Sequence, residues 1–374
     1  MFDKFSLYNL YYQWWKNIDK FIFSVIVLLF VIGLFFSLVS TSLLVSDKLN
    51  TNDYAFFFKH LSFVFLGIII IFILSSINEE KLFKISPSIF LISLISLILV
   101  PIIGIEVNSA QRWIDLYFLP RFQPIEIVKP FLIILISLIL SNEKYTNVYL
   151  KYTFSFLITL IIALLLAAQP DIGQTLLVFF SWSVLIFISG INIIFLIISC
   201  LILSTVLYFS INLVPRFAYI KNRILSFFNT ETGTHNAQSE KAIDSITSGG
   251  YFGKGIGEGT LKNRVPEAHT DYIISVISEE FGVIAIILIL LMFLILIYSV
   301  FKKVYLENEE RNKLVLVGCV SLILLQAMIH IGVNIRLFPT TGMTLPFISY
   351  GGSSIISISI LSGIILNLTK RKIK

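Results

Sequence analysis

Residues 21–45 read FIFSVIVLLFVIGLFFSLVSTSLLV, an apolar run without a charged side chain. A helix that crosses the hydrocarbon core of a bilayer needs about 20 apolar residues, so this run is long enough to span a membrane. It is too long for the apolar part of a cleaved signal peptide, and no clear small-residue cleavage site ends it. The run therefore predicts a retained first transmembrane helix.

The same apolar character extends along the chain. Of its 374 residues, 57% are hydrophobic and 13% are charged, and the mean hydropathy is +0.91. Soluble domains carry about 25% charged residues, so the composition predicts a polytopic membrane protein. The two cysteines, Cys200 and Cys319, lie in separate apolar runs. This placement argues against a disulfide framework or a thiolate metal site.

Ten apolar runs are candidate transmembrane helices, and together they predict an all-α fold. The fourth run is short and contains Glu126 and Lys129, and only residues 190–192 separate the sixth from the seventh. The predicted spans are residues 21–45, 57–77, 83–104, 125–141, 149–168, 172–190, 191–214, 271–301, 314–337 and 350–368.

The distribution of lysine and arginine predicts the orientation. With the N-terminus inside, the termini and short inner loops hold 15 of the 28 basic residues, and the short outer segments hold six. Basic loops stay on the cytoplasmic side of a membrane. Both termini are therefore predicted to be cytoplasmic. We expect a single transmembrane domain over residues 1–374, with one large extracytoplasmic loop, residues 215–270, between the seventh and eighth spans.

The large loop contains two unusual stretches, SGGYFGKGIGEG at 248–259 and PEAHTD at 266–271. The glycine cluster lacks the spacing of a phosphate-binding P-loop and follows no strand, so it does not predict a nucleotide site. Long loops of this kind are usually functional. Basic and apolar residues at helical spacing over 214–228 predict a helix that lies in the membrane interface.

The other chemically suggestive motifs all fall on the predicted outer side. They are RWI at 112–114, QPIEIVK at 123–129, QPDIGQT at 169–175 and PTTGMTLPFISYGGSS at 339–354. Intramembrane charges are costly and mark functional sites in membrane proteins. Polar groups converging on one membrane face therefore predict a site that opens outward.

Each motif also has a purely structural interpretation. Arg112 could anchor the chain in the interface together with the adjacent tryptophan. Asp171 could cap the sixth helix. Glu126 and Lys129 are three residues apart on a helix, so they could pair with each other. These interpretations stay open beside the functional ones.

Asp271 is the acid with the strongest functional interpretation. It stands at the predicted start of the eighth helix, where a carboxylate could cap free N–H groups, and His269 is two residues away. Glu279 and Glu280 follow inside the apolar run. At 3.6 residues per turn they cannot both face one cavity, so we expect one of them to pair with a cation from a neighbouring helix.

Taken in order, these motifs resemble the SEDS family of bacterial cell-wall polymerases over nearly the whole chain. The resemblance implies a glycosyltransferase that polymerises lipid II into peptidoglycan glycan strands and releases undecaprenyl diphosphate. The forms PTTGMTLP at 339–346 and QPDIGQT at 169–175 are more similar to the division branch, FtsW, than to the elongation branch, RodA. The expected role is therefore septal wall synthesis during cell division.

The resemblance also implies the site residues. Asp271 matches the family's essential outer-loop aspartate and is expected to be the catalytic base or a metal ligand. Glu126 and Lys129 match residues important for activity and are expected to position it. Substrate binding is expected from Arg112, Trp113, Gln238, Lys254, His269, Ser349 and Ser353.

The expected cofactors and partners follow from the same resemblance. A divalent cation, Mg²⁺ or Mn²⁺, is allowed for, and neither a nucleotide nor a nucleic acid is implied. The expected partners are lipid II, the growing glycan strand, a class B penicillin-binding protein transpeptidase and other membrane proteins of the division complex. The expected location is the bacterial cytoplasmic (inner) membrane, as a multi-pass protein whose active site faces the periplasm.

Three other functions fit parts of the same pattern. A lipid II flippase would also use intramembrane acids and broken helices, although a flippase should carry polar residues along both membrane faces. An elongation-type polymerase would share the chemistry. A scaffold in the division complex would need none of this chemistry.

Overall fold

The computed structural model describes residues 4–40, 54–107, 110–116, 120–144, 147–213, 234–260 and 268–370, together with residues 221, 225, 227 and 265. These residues form twelve helices and one two-stranded hairpin. In chain order they are α1 Lys4–Asn17, α2 Lys20–Ser40, α3 Ala55–Ser76, α4 Glu79–Ile103, β1 Ile105–Val107, β2 Ala110–Trp113, α5 Pro124–Leu140, α6 Val148–Ala168, α7 Ile172–Ile188, α8 Ile193–Leu213, α9 Thr234–Gly249, α10 Ile273–Leu306, α11 Glu310–Asn334 and α12 Gly352–Thr369.

The predicted class, an all-α polytopic membrane protein, is confirmed. Eight of the described helices are long and apolar enough to cross a membrane: α2, α3, α4, α6, α8, α10, α11 and α12. The fourth and sixth predicted spans coincide with α5 and α7, which have 17 residues each. Each predicted apolar run therefore corresponds to a helix, and the exact number of crossings stays a prediction.

Helices α11 and α12 form the centre of the bundle. Most of their residues are buried, because α12 packs along α3 and α5 while α11 packs against α7, α10 and α5. Helix α8 is at the opposite extreme, because few of its residues are buried and most of its apolar side chains are exposed. Apolar side chains on the outside of a membrane bundle face lipid, so this exposure is expected of a peripheral span.

The described parts of the two terminal segments lie at the same end of the bundle. The Trp14 indole N–H donates to the Ser75 hydroxyl at 2.7 Å, and the Lys370 ammonium donates to the Ile77 carbonyl at 2.9 Å. The end of α1, the end of α3 and the end of α12 therefore meet. This arrangement agrees with the prediction that both termini are on one side of the membrane.

The hairpin of β1 and β2 was not predicted. Its strands are antiparallel with a bulge next to Ile105, and a further bridge pairs Ile114 with Phe122. The hairpin connects α4 to α5 and carries Arg112 and Trp113 at the end of its second strand. It therefore sets where these two candidate site residues lie.

The large loop is partly structured, because it contains α9 and a glycine-rich segment packed on α10. Helix α10 is broken at Gly282, where φ is +77°. The Val283 N–H donates to the Gly250 carbonyl at 3.0 Å, and a Cβ at Gly282 would lie 2.1 Å from the Tyr251 carbonyl oxygen. The break thus lets two backbones touch. Most of the predicted interfacial helix, 214–228, lies outside the described residues.

Candidate functional site

An arginine–aspartate contact joins the hairpin to the turn between α6 and α7. The Arg112 guanidinium donates to the carbonyls of Gln169, at 3.1 Å, and Pro170, and it lies 3.5 Å from the Asp171 carboxylate. Gln123 donates its side-chain amide to the same Asp171 oxygen at 3.0 Å. The Asp171 side chain is buried and that of Arg112 is 15% exposed. The guanidinium is therefore held by the turn between α6 and α7, while part of the Arg112 side chain stays exposed.

The buried ion pair predicted within α5 is confirmed. The Lys129 ammonium lies 2.9 Å from Glu126 Oε2, and the side chains are 1% and 4% exposed. Gln174 donates to the other Glu126 oxygen at 2.8 Å. The backbone N–H of Gln174 in turn donates to the Asp171 side chain, which confirms the predicted cap of α7. Lys129 is thus sealed inside the bundle.

The motif at 339–351 is a segment of coil between α11 and α12, and Met343 and residues 345–349 within it are buried. Phe347 has a φ of +66° and packs its ring on Phe30 at 5.1 Å between centroids. Ser349 accepts a hydrogen bond from the Leu345 N–H at 2.8 Å. Ser353, in the first turn of α12, accepts one from the Gln123 N–H at 3.1 Å. Both candidate serines are therefore buried and engaged with backbone groups.

The turn that carries Asp271 is tied to this segment. Three successive carbonyls, of residues 269–271, accept hydrogen bonds. The donors are the Tyr350 N–H at 3.1 Å, the Ser349 hydroxyl at 2.7 Å and the Asn334 amide at 3.0 Å. The backbone of Asp271 is therefore held in place while its side chain stays partly accessible.

The Asp271 carboxylate lies next to Gly342. A Cβ at Gly342 would be 3.5 Å from Asp271 Oδ2, and the glycine has a φ of +70°. On the other side of the same segment, a Cβ at Gly173 would lie 2.8 Å from Thr341 Cβ and 3.0 Å from Met343 Sδ. Residues 341–343 are thus sandwiched between the Asp271 turn and the N-terminal end of α7, which unites two of the predicted outer motifs.

Asp271 lies just before helix α10 rather than within it. Helix α10 begins at Ile273 and its N-cap residue is Tyr272. The Asp271 turn therefore leads directly into the helix that carries Glu279 and Glu280.

Glu279 pairs with the glycine-rich segment rather than with a neighbouring helix. Its side chain is completely buried, 3.3 Å from the Lys254 ammonium, and it accepts a hydrogen bond from the Ser245 hydroxyl at 2.8 Å. The Lys254 side chain remains 34% exposed. Glu280 is also buried. The pairing identifies Glu279 as a group that holds the loop onto α10.

The remaining candidates occupy intermediate positions. Trp113 is half-buried at the end of β2, and Gln238 is half-buried in α9, which packs on α10. The His269 ring contacts the rings of Phe56, at 5.0 Å, and Tyr350, at 6.1 Å.

A polar stripe on α11 was missed by sequence reasoning. Gln326 donates to the Thr344 carbonyl at 3.0 Å, and a ring nitrogen of His330 lies 2.7 Å from the Met343 carbonyl oxygen. Asn334 then reaches the Asp271 carbonyl. The three residues are spaced i, i+4, i+8 within an apolar run, and this periodicity was the available signal.

The described residues do not contain a cluster of three or more His, Cys, Asp or Glu side chains that could hold a metal ion by themselves. Mg²⁺ is commonly bound through one or two carboxylates and the phosphates of a substrate.

Comparison with known proteins gives a consistent result. The family model FtsW/RodA/SpoVE, described as cell cycle protein, matches residues 19–374. A probable peptidoglycan glycosyltransferase FtsW from Caulobacter vibrioides is 30% identical, covering 96% of this chain and 91% of its own. One of the same description from Enterococcus hirae is 33% identical, with coverage of 96% and 94%.

Two solved structures share the fold. A chain from a peptidoglycan synthase complex that coordinates polymerization and crosslinking superposes with a TM-score of 0.78 at 25% identity, covering 94% of this chain and 97% of that one. RodA from Thermus thermophilus gives a TM-score of 0.69 at 24% identity, with coverage of 95% and 97%. The resemblance inferred from the motifs is confirmed, and this chain belongs to the FtsW/RodA/SpoVE family of cell cycle proteins.

Proposed function

We propose that this protein polymerises lipid II into the glycan strands of peptidoglycan, and that it does so in septal wall synthesis during cell division. The observation that carries the proposal is the position of Asp271 beside Gly342, on a turn that is anchored by hydrogen bonds to three successive backbone carbonyls. The division role is favoured over elongation because the similar relatives are described as FtsW.

The chemistry needs a base. A sugar hydroxyl of one substrate attacks the anomeric carbon of another, a new glycosidic C–O bond forms, and the C–O bond to the undecaprenyl diphosphate breaks. The diphosphate leaves with the electron pair, and the hydroxyl proton must go to a nearby acceptor. Asp271 is the proposed acceptor, since a positioned carboxylate typically contributes about 10²–10⁴-fold through general base catalysis.

The leaving diphosphate needs positive charge. Arg112 and Lys254 are the proposed contacts, because each keeps part of its side chain exposed while a carboxylate anchors the rest. Lys129 has a different role in the proposal. At 1% exposure it does not reach a substrate, so Lys129 and Glu126 act as positioning residues that hold α5 against α7.

A divalent cation fits this arrangement. Asp271 and the diphosphate of lipid II would together supply the oxygen ligands that Mg²⁺ or Mn²⁺ prefers. When bound, the cation would neutralise charge that develops on the leaving diphosphate. Proton transfer to Asp271 and the anchoring of its turn are functions of the protein and not of the cation.

The partner and the sidedness are part of the proposal. We expect the Asp271 end to face the periplasm, because the distribution of lysine and arginine predicts that the opposite end is cytoplasmic. A class B penicillin-binding protein that cross-links the new strands is the proposed partner. The similarity to a chain from a peptidoglycan synthase complex supports this choice. Co-purification of the two full-length proteins tests it.

The test of the function uses purified full-length protein and lipid II. Asp271→Asn should lower the rate of glycan polymerisation by about 10²–10⁴-fold, the usual loss for a catalytic base. Asp244→Asn is the matched control, because Asp244 is an exposed aspartate in α9 of the same large loop, and it should retain the wild-type rate.

Size-exclusion and thermal unfolding profiles equal to those of wild type would show that the Asp271→Asn protein is folded. A folded Asp271→Asn protein that polymerises lipid II at the rate of Asp244→Asn would overturn the assignment of the base.

A further inference from the structure

At the opposite end of the bundle from Asp271, a small cleft lies between α1, α3 and α12. Its volume is about 160 Å³. A cavity of this size holds several water molecules, so the cleft has room for a lipid head group. It is lined by Gln13, Trp14, Asn17, Ile18, Ser75, Ser76, Leu366 and Lys370.

We infer that this cleft binds the phosphodiester head group of a phospholipid from the cytoplasmic leaflet. The inference goes beyond the proposed polymerase function and is independent of it. It depends on where the cleft lies, on the Lys370 ammonium, on the buried Asn17 acceptor and on the apolar side chains of the lining.

The cleft is at the level of the lipid head groups. Helix α1 precedes the first span and ends in aromatic side chains, of which Tyr11 and Tyr12 are more than half exposed. Tyrosine and tryptophan are enriched where a membrane meets water. The Trp14 ring packs on Phe72 of α3 at 5.0 Å and on Phe23 of α2 at 5.5 Å. Helix α1 is therefore held against the inner ends of two spans.

Lys370 supplies the positive charge. Its ammonium donates to the Ile77 carbonyl at 2.9 Å, which uses one of its three N–H groups. Burial lowers the pKa of Lys370, and the Glu79 carboxylate opposes that lowering. One Glu79 oxygen already accepts hydrogen bonds from Asn312, at 2.8 Å, and Arg311, at 3.3 Å. The lysine therefore keeps two N–H donors for an anion at the cleft.

Asn17 supplies an acceptor on another wall of the cleft. Its Oδ1 atom is buried and has no hydrogen-bond partner among the residues that the structure describes. A buried acceptor without a partner is costly. Common bacterial head groups carry both an anionic phosphate and an ammonium or hydroxyl donor. A cation together with an orphan acceptor matches that pair of groups.

The cleft wall also has an apolar part, formed by Ile18 and Leu366. Phe21, three residues after Ile18, is 59% exposed on α2. An exposed apolar side chain on a span faces acyl chains, so a lipid gains a contact here that a soluble phosphate does not. The occupant is thus a membrane lipid.

The experiment uses delipidated full-length protein in detergent, with phosphatidylglycerol as the probe and native mass spectrometry as the readout. Lys370→Gln should weaken retention of one tightly bound lipid by about tenfold, the loss expected for one charge-assisted hydrogen bond. Lys302→Gln removes the same charge from an exposed lysine in α10, outside the cleft lining, and should bind as wild type does.

A second variant tests the cleft without changing its charge. Ser76 is exposed at the cleft rim, so Ser76→Phe should fold, fill the cleft and also weaken retention. Diacylglycerol and inorganic phosphate should each fail to compete. Equal retention by the Lys370 and Lys302 variants, full retention by Ser76→Phe, or equal competition by diacylglycerol or phosphate would each overturn the inference.

Discussion

The buried ion pair of α5 allows a quantitative prediction. Lys129 and Glu126 are 2.9 Å apart and almost fully buried. Apart from this contact, the Lys129 ammonium has no hydrogen-bond partner among the described residues, whereas Glu126 also accepts from Gln174. Lys129→Met therefore leaves the Glu126 carboxylate buried, with the Gln174 amide as a donor but without a compensating positive charge.

The cost follows from this geometry. Removing one partner of a buried pair destabilises a protein by about 3–5 kcal/mol, because the remaining charge is uncompensated. Combining Lys129→Met with Glu126→Gln removes both charges, and the new glutamine keeps an oxygen for the Gln174 amide. The double variant should therefore be more stable than Lys129→Met alone. The two substitutions should be strongly non-additive.

The assay is unfolding in detergent of wild type, both single variants and the double variant. Arg121→Met is the matched control, because Arg121 and Asp115 are also 2.9 Å apart but 64% and 33% exposed. Exposed pairs contribute about 0–1 kcal/mol, so this variant should unfold like wild type. Additive losses in the double variant, or a loss for Lys129→Met no larger than for Arg121→Met, would refute the reasoning.

Two further predictions concern glycine and pH. Backbone strain at a positive φ costs about 1–3 kcal/mol. Gly282→Ala should destabilise the protein by more than this, because the new Cβ also clashes with the Tyr251 carbonyl. Gly257→Ala, also at positive φ but in open space, should incur only strain, which unfolding profiles can compare. Burial opposes ionisation of Asp19, but the Lys303 ammonium at 2.6 Å and backbone N–H groups outweigh it and lower the Asp19 pKa. The stability from Asp19 should be complete above its ordinary pKa of 3.8 and lost as pH falls through the lowered value, and Asp19→Asn should remove this acid dependence.

The features that sequence predicted well depend on short spacings. Each apolar run became a helix because a bilayer leaves few other ways to satisfy the backbone. The Glu126–Lys129 pair and the Asp171 cap were also predictable, since both join residues three positions apart. In all of these cases the partners are close in sequence.

The features that sequence missed depend on contacts between distant segments. The segment at 339–351 folds into the bundle because Gly33 and Gly173 leave room for it. The turn that carries Asp271 is held by hydrogen bonds from Ser349 and Asn334, which are distant from it in sequence. No local sequence pattern predicts these contacts. The polar stripe on α11, however, would have indicated that this helix faces the site.

The proposed chemistry is tested most directly by wild-type protein in proteoliposomes that contain fluorescent lipid II. Two quantities are measured in one sample: the amount of glycan polymer, and the fraction of labelled lipid that crosses the bilayer. A polymerase predicts polymer with no protein-dependent transfer of lipid II between leaflets. Rapid transfer without polymer would contradict it and would identify the protein as a transporter.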